Sequence, residues 1–193
     1  MTWNHTSATV TGTRHNDQQQ PCQDAHAITQ LNDALIIAAS DGAGSAPHSA
    51  TGALIATTTI TAYVAGALQG RRQRPNDIKV ALTNGVEHTR HAIKMHAQQH
   101  GHHTSDYATT ILAVVATRTH LATLQLGDGG ILTRDTKGRL AILTRQQERE
   151  YVNEVTFLTC DHYKQELHIR TIPRRTVDSI CVFTDGVESL CVR

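Results

Sequence analysis

The sequence predicts an α+β fold in which two stacked, largely antiparallel β-sheets are flanked by helices. Three observations predict it: β-like runs near the start of the chain, two long helix-like segments after them, and a further series of short β-like runs with turns between them. The helices would cover one face of a sheet, and two stacked sheets would accommodate the number of strands. The length of 193 residues and the absence of a linker rich in Pro, Gly or Ser favour one domain spanning 1–193.

The first predicted elements are strands that lead into a loop. Residues 6–12 form a short β-like segment, and residues 24–30 alternate loosely before the continuous apolar run 34–40. The Asn-Asp pair at 32–33 between the last two segments predicts a hairpin. The composition then changes to Asp, Gly, Ser, Ala and Pro over 41–47, which predicts a loop.

Two long segments follow with helical periodicity. Apolar residues recur at three- to four-residue spacing over 53–68, with Ser49 as the candidate N-cap. They share a face again over 78–93, where Asn76 or Asp77 could cap the second helix. A basic loop separates the two predicted helices.

Short β-like runs separated by turns make up the rest of the chain. They comprise residues 111–116, 121–126, 130–133, 140–143, 166–170 and 179–184. The sequence Gly127-Asp128-Gly129-Gly130 lies between two of these runs and predicts a hairpin turn. Residues 146–156 are polar and predict no definite element.

Composition excludes several partners and compartments. Lys and Arg number 18 against 17 Asp and Glu, so the net charge of +1 gives no electrostatic case for binding nucleic acid or an anionic membrane. The stretch 50–68 contains five Thr and a Tyr, which predicts an amphipathic or buried helix and not a membrane span. No signal peptide is visible, and the four cysteines form no Cys-x-x-Cys pair. Reduced structural thiols and a cytoplasmic protein are therefore expected.

Two of the apolar runs end on Asp-Gly, at Asp41-Gly42 and at Asp185-Gly186. A carboxylate at a rigid strand end, followed by a residue that permits close backbone approach, suits a hard divalent cation such as Mg²⁺ or Mn²⁺. Two such ends side by side could hold two cations with a shared water. Asp-Gly is also an ordinary turn signal, so each pair alone is compatible with a simple turn.

Six motifs occur in a fixed order along the chain: Gly12-Thr-Arg-His15, Pro21-Cys-Gln-Asp24-Ala, Ser40-Asp41-Gly42-Ala-Gly44-Ser45, Asp106-Tyr-Ala-Thr-Thr110, Leu126-Gly127-Asp128-Gly129 and Phe183-Thr-Asp185-Gly186-Val-Glu188. This series resembles the metal-dependent protein phosphatase family, protein phosphatase 2C, in its bacterial branch. The resemblance implies a sandwich of two antiparallel sheets and hydrolysis of phosphoserine or phosphothreonine without a covalent intermediate. It also implies two Mn²⁺ or Mg²⁺ ions that bridge a water, lower its pKa and direct it at phosphorus.

The same resemblance implies the roles of individual residues. Asp41 would be shared by both ions, the backbone carbonyl of Gly42 would be a second ligand, and Asp185 would complete the shell of one ion. Asp24 would contribute at the same centre, directly or through a water, and Asp106 would help to hold a third, weaker ion.

Other positions depart from the family pattern. Many members carry a phosphate-binding Arg five residues before the aspartate aligned with Asp24, where this chain has Gln19. Arg14 or His15 could bind the substrate phosphate instead. Asp128 matches a motif that is not a usual direct ligand, so a turn cap is its simpler role. The family domain usually continues for roughly 40 residues after its last Asp-Gly motif, so we expect a C-terminally truncated domain that lacks one metal-binding aspartate.

The expected function is a metal-dependent serine/threonine protein phosphatase that acts in signalling on phosphorylated proteins, opposite a cognate kinase. Two alternatives remain: a non-catalytic regulatory or binding module with the same fold, and a metallohydrolase for another phosphoester. Six of the 13 histidines lie between 88 and 103. His96 and His100 have the i,i+4 spacing that can chelate zinc, although a solvated helix face is the simpler interpretation.

Overall fold

The computed structural model describes residues 3–12, 21–145, 155–174 and 177–187. Its strands are β1 (Asp24–Gln30), β2 (Ala34–Asp41), β3 (Ile111–Thr117), β4 (His120–Leu126), β5 (Gly130–Asp135), β6 (Leu140–Ile142), β7 (His168–Pro173) and β8 (Val177–Phe183). Its α-helices are α1 (Ser49–Leu68), α2 (Pro75–His100) and the short α3 (Tyr163–Glu166). Two 3₁₀ turns span Thr104–Tyr107 and Asp185–Val187.

The strands form two antiparallel sheets, as the sequence predicts. The order in the larger sheet is β1-β2-β3-β4-β7, and the order in the smaller sheet is β6-β5-β8. The main core lies between the two long helices and the larger sheet, and it includes the fully buried Ile36, Ile60, Leu82, Val115 and Leu124. A second core lies between the sheets, with Leu112, Val114 and Ile131 among its members. The predicted α+β sandwich flanked by helices is confirmed.

Helix α1 is a core helix in this fold. Its residues Ala53, Ala56, Ile60 and Val64 are at most 1% exposed, as expected for one face of an amphipathic helix. By length and composition α1 could cross a membrane, and the described residues contain one such helix. Half of the apolar stretch of α1 is buried inside the protein, which agrees with the buried helix that the sequence predicts.

The predicted strand at residues 6–12 is wrong. The chain has no regular structure over 3–12, and residues 4–10 are all exposed. Trp3 packs against the core between the sheets, and Thr9 Oγ1 lies 2.9 Å from His26 Nδ1. The β propensity of the segment is therefore not realised as a strand, because tertiary context decides its structure.

The predicted hairpin at 127–130 is also wrong. Strand β4 belongs to the larger sheet and β5 to the smaller one, so the segment carries the chain from one sheet to the other. Gly127 and Gly129 both have φ of 93°, in the left-handed region that glycine adopts without steric cost. The glycines do mark a tight turn, but the local sequence does not specify which sheet the next strand joins.

The helix starts differ slightly from the predicted ones. Helix α1 begins at Ser49 itself, with His48 at the cap position and no side-chain cap bond. Helix α2 begins at Pro75, and its Asp77 carboxylate accepts a hydrogen bond from the Arg74 backbone N–H at 3.4 Å. Proline suits the first helical position because it has no N–H to leave unpaired. Asp77 thus caps α2 from within its first turn.

The packing of α1 predicts opposite effects for two glycines. A Cβ at Gly52 would lie 2.3 Å from the Tyr107 backbone oxygen, whereas a Cβ at Gly66 meets nothing within 4 Å. We expect Gly52→Ala to lower the free energy of unfolding by about 1–3 kcal/mol through overpacking. Gly66→Ala should raise it by about 0.5–1 kcal/mol through helix propensity. Urea denaturation of both variants measures the difference, and equal effects would contradict the close approach of α1 to Tyr107.

Candidate functional site

The first two aspartates of the site are neighbours across a β-ladder. Strands β1 and β2 pair in a register that places Asp24 directly opposite Asp41. Side chains at directly opposite positions have Cβ atoms about 4.5–5.5 Å apart. Two carboxylates separated by 17 positions in the chain are therefore brought together at one end of the larger sheet.

The other two aspartates come from the connections of the smaller sheet. Phe183 at the end of β8 pairs with Gly130 at the start of β5. This pairing brings the loop that holds Asp128 next to the 3₁₀ turn that begins at Asp185. The charges of Asp24, Asp128 and Asp185 all act on Asp41. We call these four residues the acidic cluster.

The acidic cluster changes the chemistry of Asp41. Burial is the largest effect, and together with the charges of Asp24, Asp185 and Asp128 and a hydrogen bond with Asp185 it raises the pKa of Asp41 from 3.8 to about 8. Near neutral pH a proton on Asp41 thus offsets part of the repulsion. A divalent cation with oxygen ligands would offset it more completely. The sequence motifs predict Asp24, Asp41 and Asp185 as metal ligands, which stays a prediction, and they place Asp128 in a turn.

The backbone of Asp41 is held by hydrogen bonds to the two residues that precede β3. Thr109 Oγ1 donates to the Asp41 carbonyl at 2.8 Å, and the Asp41 N–H donates to Thr110 Oγ1 at 2.9 Å. The Thr110 N–H donates to the same Asp41 carbonyl at 2.9 Å. Ser40 Oγ lies 2.7 Å from Thr109 Oγ1 and donates to the Thr110 carbonyl. Sequence analysis quoted this Thr-Thr pair in a motif without giving it a role.

Gly42 is required by the close approach of two other segments. A Cβ at this position would lie 2.8 Å from the Ser49 backbone and 2.9 Å from the Gln23 carbonyl. The Gly42 N–H donates to that Gln23 carbonyl at 3.1 Å, and Gly42 also forms a bridge with Thr109. The backbone of the residue after Asp41 is thereby fixed, as a carbonyl ligand would require. The predicted role of that carbonyl as a ligand stays a prediction.

A later segment of the chain packs beside this strand end. The Leu158 N–H donates to the Thr109 carbonyl at 2.8 Å, and Phe157 packs against the small alanine cluster that includes Ala43. Arg90 Nη1 of α2 donates to the carbonyls of both Leu158 and Cys160. A guanidinium bound to two carbonyls fixes the segment to α2. The sequence offered no signal for this contact because Arg90 and Leu158 are 68 positions apart.

The remaining predicted site residues are not gathered into the acidic cluster. Asp106 lies in the 3₁₀ turn Thr104–Tyr107, where its carboxylate accepts a hydrogen bond from the His103 N–H at 3.0 Å. It is not among the groups that shift the pKa of Asp41, so its role at a third ion stays a prediction. Arg14 and His15, predicted to bind phosphate, lie outside the described residues. Within the described parts of the chain, no three His, Cys, Asp or Glu side chains form a ready ligand group.

The histidines at the end of α2 form an aromatic cluster. The rings of His48 and His102 stack with centroids 4.1 Å apart, and those of His96 and His100 are 4.3 Å apart. His102 Nδ1 lies 2.8 Å from the hydroxyl of the buried Tyr107. Burial, followed by the charges of His100, His102 and His48, lowers the pKa of His96. These rings therefore pack around Tyr107, and stacked faces are poorly arranged to chelate one cation.

Comparison with known sequences identifies the family. The family model of protein phosphatase 2C matches residues 11–192. Serine/threonine-protein phosphatase 3 of Escherichia coli (strain K12) is 30% identical over 197 residues, which cover 100% of this chain and 76% of that protein. The chain therefore belongs to the protein phosphatase 2C family, and the resemblance drawn from the six motifs is confirmed.

Solved structures share the fold. Serine/threonine phosphatase Stp1 from Staphylococcus aureus has a TM-score of 0.70 at 12% identity, covering 97% of this chain and 82% of its own. RsbX in complex with magnesium has a TM-score of 0.57 at 14% identity, covering 87% and 68%. Serine-threonine phosphatase 2C from Toxoplasma gondii has a TM-score of 0.61 at 12% identity, covering 88% and 75%. At these identities the likeness establishes the fold.

The raised pKa of Asp41 predicts the pH dependence of stability without metal. A carboxyl whose pKa is higher in the folded state than in the unfolded chain binds its proton more tightly when folded, so stability falls as pH rises between the two values. We expect the Tm of the EDTA-treated protein to fall as pH rises from about 4 to about 8. In Asp41→Asn this fall should be much smaller. An identical pH profile for both proteins would contradict the environment described for Asp41.

The Thr110 hydroxyl should affect metal binding through Asp41. Thr110→Val removes the acceptor for the Asp41 N–H while keeping the side-chain shape, and loss of a supporting hydrogen bond typically weakens metal affinity about 10-fold or more. The measurement is the Mn²⁺ concentration for half-maximal phosphatase activity. Thr133→Val is the matched control, because that buried Thr bonds the Ala141 carbonyl in the smaller sheet. Equal Mn²⁺ dependence in both variants would count against this role.

Proposed function

We propose that this chain hydrolyses phosphoserine and phosphothreonine in proteins and depends on divalent cations. The observation that carries the proposal is the convergence of Asp24, Asp128 and Asp185 on the half-buried Asp41, whose pKa is raised to about 8, within a protein phosphatase 2C fold. Four carboxylates in one place are unfavourable without a counter-charge. Membership of a metal-dependent phosphatase family supplies the class of reaction, and the E. coli relative named a serine/threonine-protein phosphatase supports the substrate class.

The charge and the oxygen ligands of the acidic cluster suit two Mn²⁺ or Mg²⁺ ions, although its described side chains are not already arranged as a ready ligand group. Four ionised carboxylates carry four negative charges, which two divalent cations would balance. Asp41 would be shared by both ions, Asp24, Asp185 and the Gly42 carbonyl would be further ligands, and Asp106 would help to hold a third, weaker ion. Bound cations of this kind lower the pKa of water for attack on phosphorus and neutralise the phosphoryl oxygens.

The protein's own residues prepare the site for this reaction. Asp41 would lose its proton to solvent on binding cations, because a carboxylate ligand must be deprotonated. Thr109 and Thr110 keep the Asp41 backbone fixed during that exchange through their hydrogen bonds. Asp24, Asp41 and Asp128 are half-buried, and partial removal from water strengthens the interaction of carboxylates with cations.

The acidic cluster also bears on how the substrate phosphate would be bound and on the functional partners of the protein. The substrate phosphate would be met mainly by the cations, in keeping with a chain of net charge +1, and Arg14 or His15 would add a direct contact. We further propose a cognate serine/threonine kinase as the functional counterpart in signalling. We also propose a cytoplasmic location, where the four cysteines would stay reduced.

The proposal is tested by hydrolysis of a phosphothreonine peptide and of p-nitrophenyl phosphate with Mn²⁺, Mg²⁺ or EDTA. We expect metal-dependent turnover and a loss of about 100-fold or more in Asp41→Asn, since even supporting residues change metal affinity by about 10–100-fold. Asp33→Asn is the matched control, because Asp33 is an exposed aspartate paired with Arg118. It should retain activity.

Two other outcomes identify the alternatives. A folded protein without metal-dependent turnover of either substrate would indicate a non-catalytic module with this fold. Faster hydrolysis of nucleotides or sugar phosphates than of any phosphopeptide would indicate a hydrolase for another phosphoester. Either result would overturn the proposal.

A further inference from the structure

A basic groove lies against β7, which is the outer strand of the larger sheet within the described residues. The groove has a volume of about 580 Å³ and is lined by Lys79 of α2, Arg145 after β6, and His168 and Arg170 of β7. No Asp or Glu is among the described residues that line it. Three cationic side chains in one groove stand out in a chain whose net charge is +1.

The Lys and Arg side chains of the basic groove form no ion pair with the described residues. The ion pairs within the described parts of the chain are Arg118–Asp33, Arg134–Asp178, Arg139–Asp135 and Lys164–Glu87. None of these pairs involves a residue of the groove. Lys79, Arg145 and Arg170 are all exposed. An acidic ligand would therefore not have to displace a carboxylate that the described residues already supply.

The floor of the basic groove is ordered by buried polar contacts. Gln125 is 5% exposed, and its side-chain amide donates to the Arg145 carbonyl at 3.1 Å and accepts from the Arg145 N–H at 2.8 Å. The same amide donates to the Gly127 carbonyl at 3.2 Å. Gln125 therefore links the backbone of Arg145 to the loop that holds Asp128 of the acidic cluster.

The basic groove and the acidic cluster lie at the same end of the larger sheet. The Thr110 backbone bonds Asp41, Ile111 pairs with Leu126, and Gln125 pairs with His168. Three interstrand steps of about 4.8 Å separate β2 from β7, or about 14 Å. An extended peptide advances about 3.3 Å per residue, so roughly four to six residues would reach from one to the other.

We propose that the basic groove binds an acidic segment of the phosphoprotein substrate, with Asp, Glu or a second phosphorylated residue about four to six positions from the residue being dephosphorylated. This inference rests on the proposed phosphatase function and deepens it by naming a substrate preference. The Lys and Arg side chains of the basic groove attract the acidic segment at long range and form ion pairs with it in the groove. The acidic cluster, once occupied by cations, receives the phosphate itself.

The test compares phosphothreonine peptides that differ at a distance from the phosphate. One peptide has Glu at four to six positions before the phosphothreonine, a second has Glu at the same distance after it, and two more have Ala or Lys at those positions. We expect kcat/KM to be about 5- to 20-fold higher for one of the Glu peptides than for the Ala peptide, since a few exposed ion pairs contribute modestly. Added salt should reduce this preference.

Variants of the basic groove then locate the preference. Arg170→Gln should reduce the Glu-over-Ala ratio severalfold, and Arg170→Glu should favour the Lys peptide. Arg118→Gln, which removes an arginine on the β3–β4 turn away from the groove, should keep the wild-type ratio. Equal kcat/KM for all peptides, or a ratio that Arg170→Glu leaves unchanged, would overturn the inference. Turnover of p-nitrophenyl phosphate by the wild-type protein, which needs no peptide contact, shows separately whether the proposed phosphatase function holds.

Discussion

The mutual repulsion of four aspartates is the constraint on which the rest of this structure depends. Partial burial, followed by the charges of Asp24, Asp185 and Asp128, raises the pKa of the half-buried Asp41 to about 8. The fold supports this unfavourable arrangement with rigid strand ends, since Asp24 and Asp41 are fixed opposite each other by the β1–β2 ladder. Thr109 Oγ1 donates to the Asp41 carbonyl and Thr110 Oγ1 accepts from the Asp41 N–H, so these bonds fix the backbone of Asp41. Such preorganised repulsion favours cation binding.

Support for the site extends beyond the strands that carry the aspartates. Arg90 of α2 binds the Leu158 carbonyl, the Leu158 N–H binds Thr109, and Thr109 binds the Asp41 carbonyl. Each step joins residues that are distant in sequence. Helix packing and the position of Asp41 are therefore connected through hydrogen bonds.

Sequence analysis predicted what depends on local pattern. The alternation over 24–30 and the apolar run 34–40 were sufficient to predict the β1–β2 hairpin. The order of the motifs pointed to Asp24, Asp41 and Asp185 as candidate metal ligands. What it missed depends on long-range packing. The glycines at 127–130 mark a turn in either case, and only the packing of the two sheets brings Asp128 to Asp41. The segment 6–12 has β-like composition, yet it forms no strand, and composition alone does not show whether a segment pairs with a sheet. The basic groove combines α2, β4, β7 and the end of β6, so no local pattern could indicate it.

The division of the acidic cluster between the sheets has a mechanical consequence. Asp24 and Asp41 end strands of the larger sheet, whereas Asp185 follows the last strand of the smaller one. A cation bound by aspartates of both sheets would link the two sheets. It would also close a very long loop of the chain, from position 41 to position 185. Closing a long loop restricts the unfolded chain more than closing a short one. An ion bound there for catalysis would therefore also stabilise the packing of the two sheets.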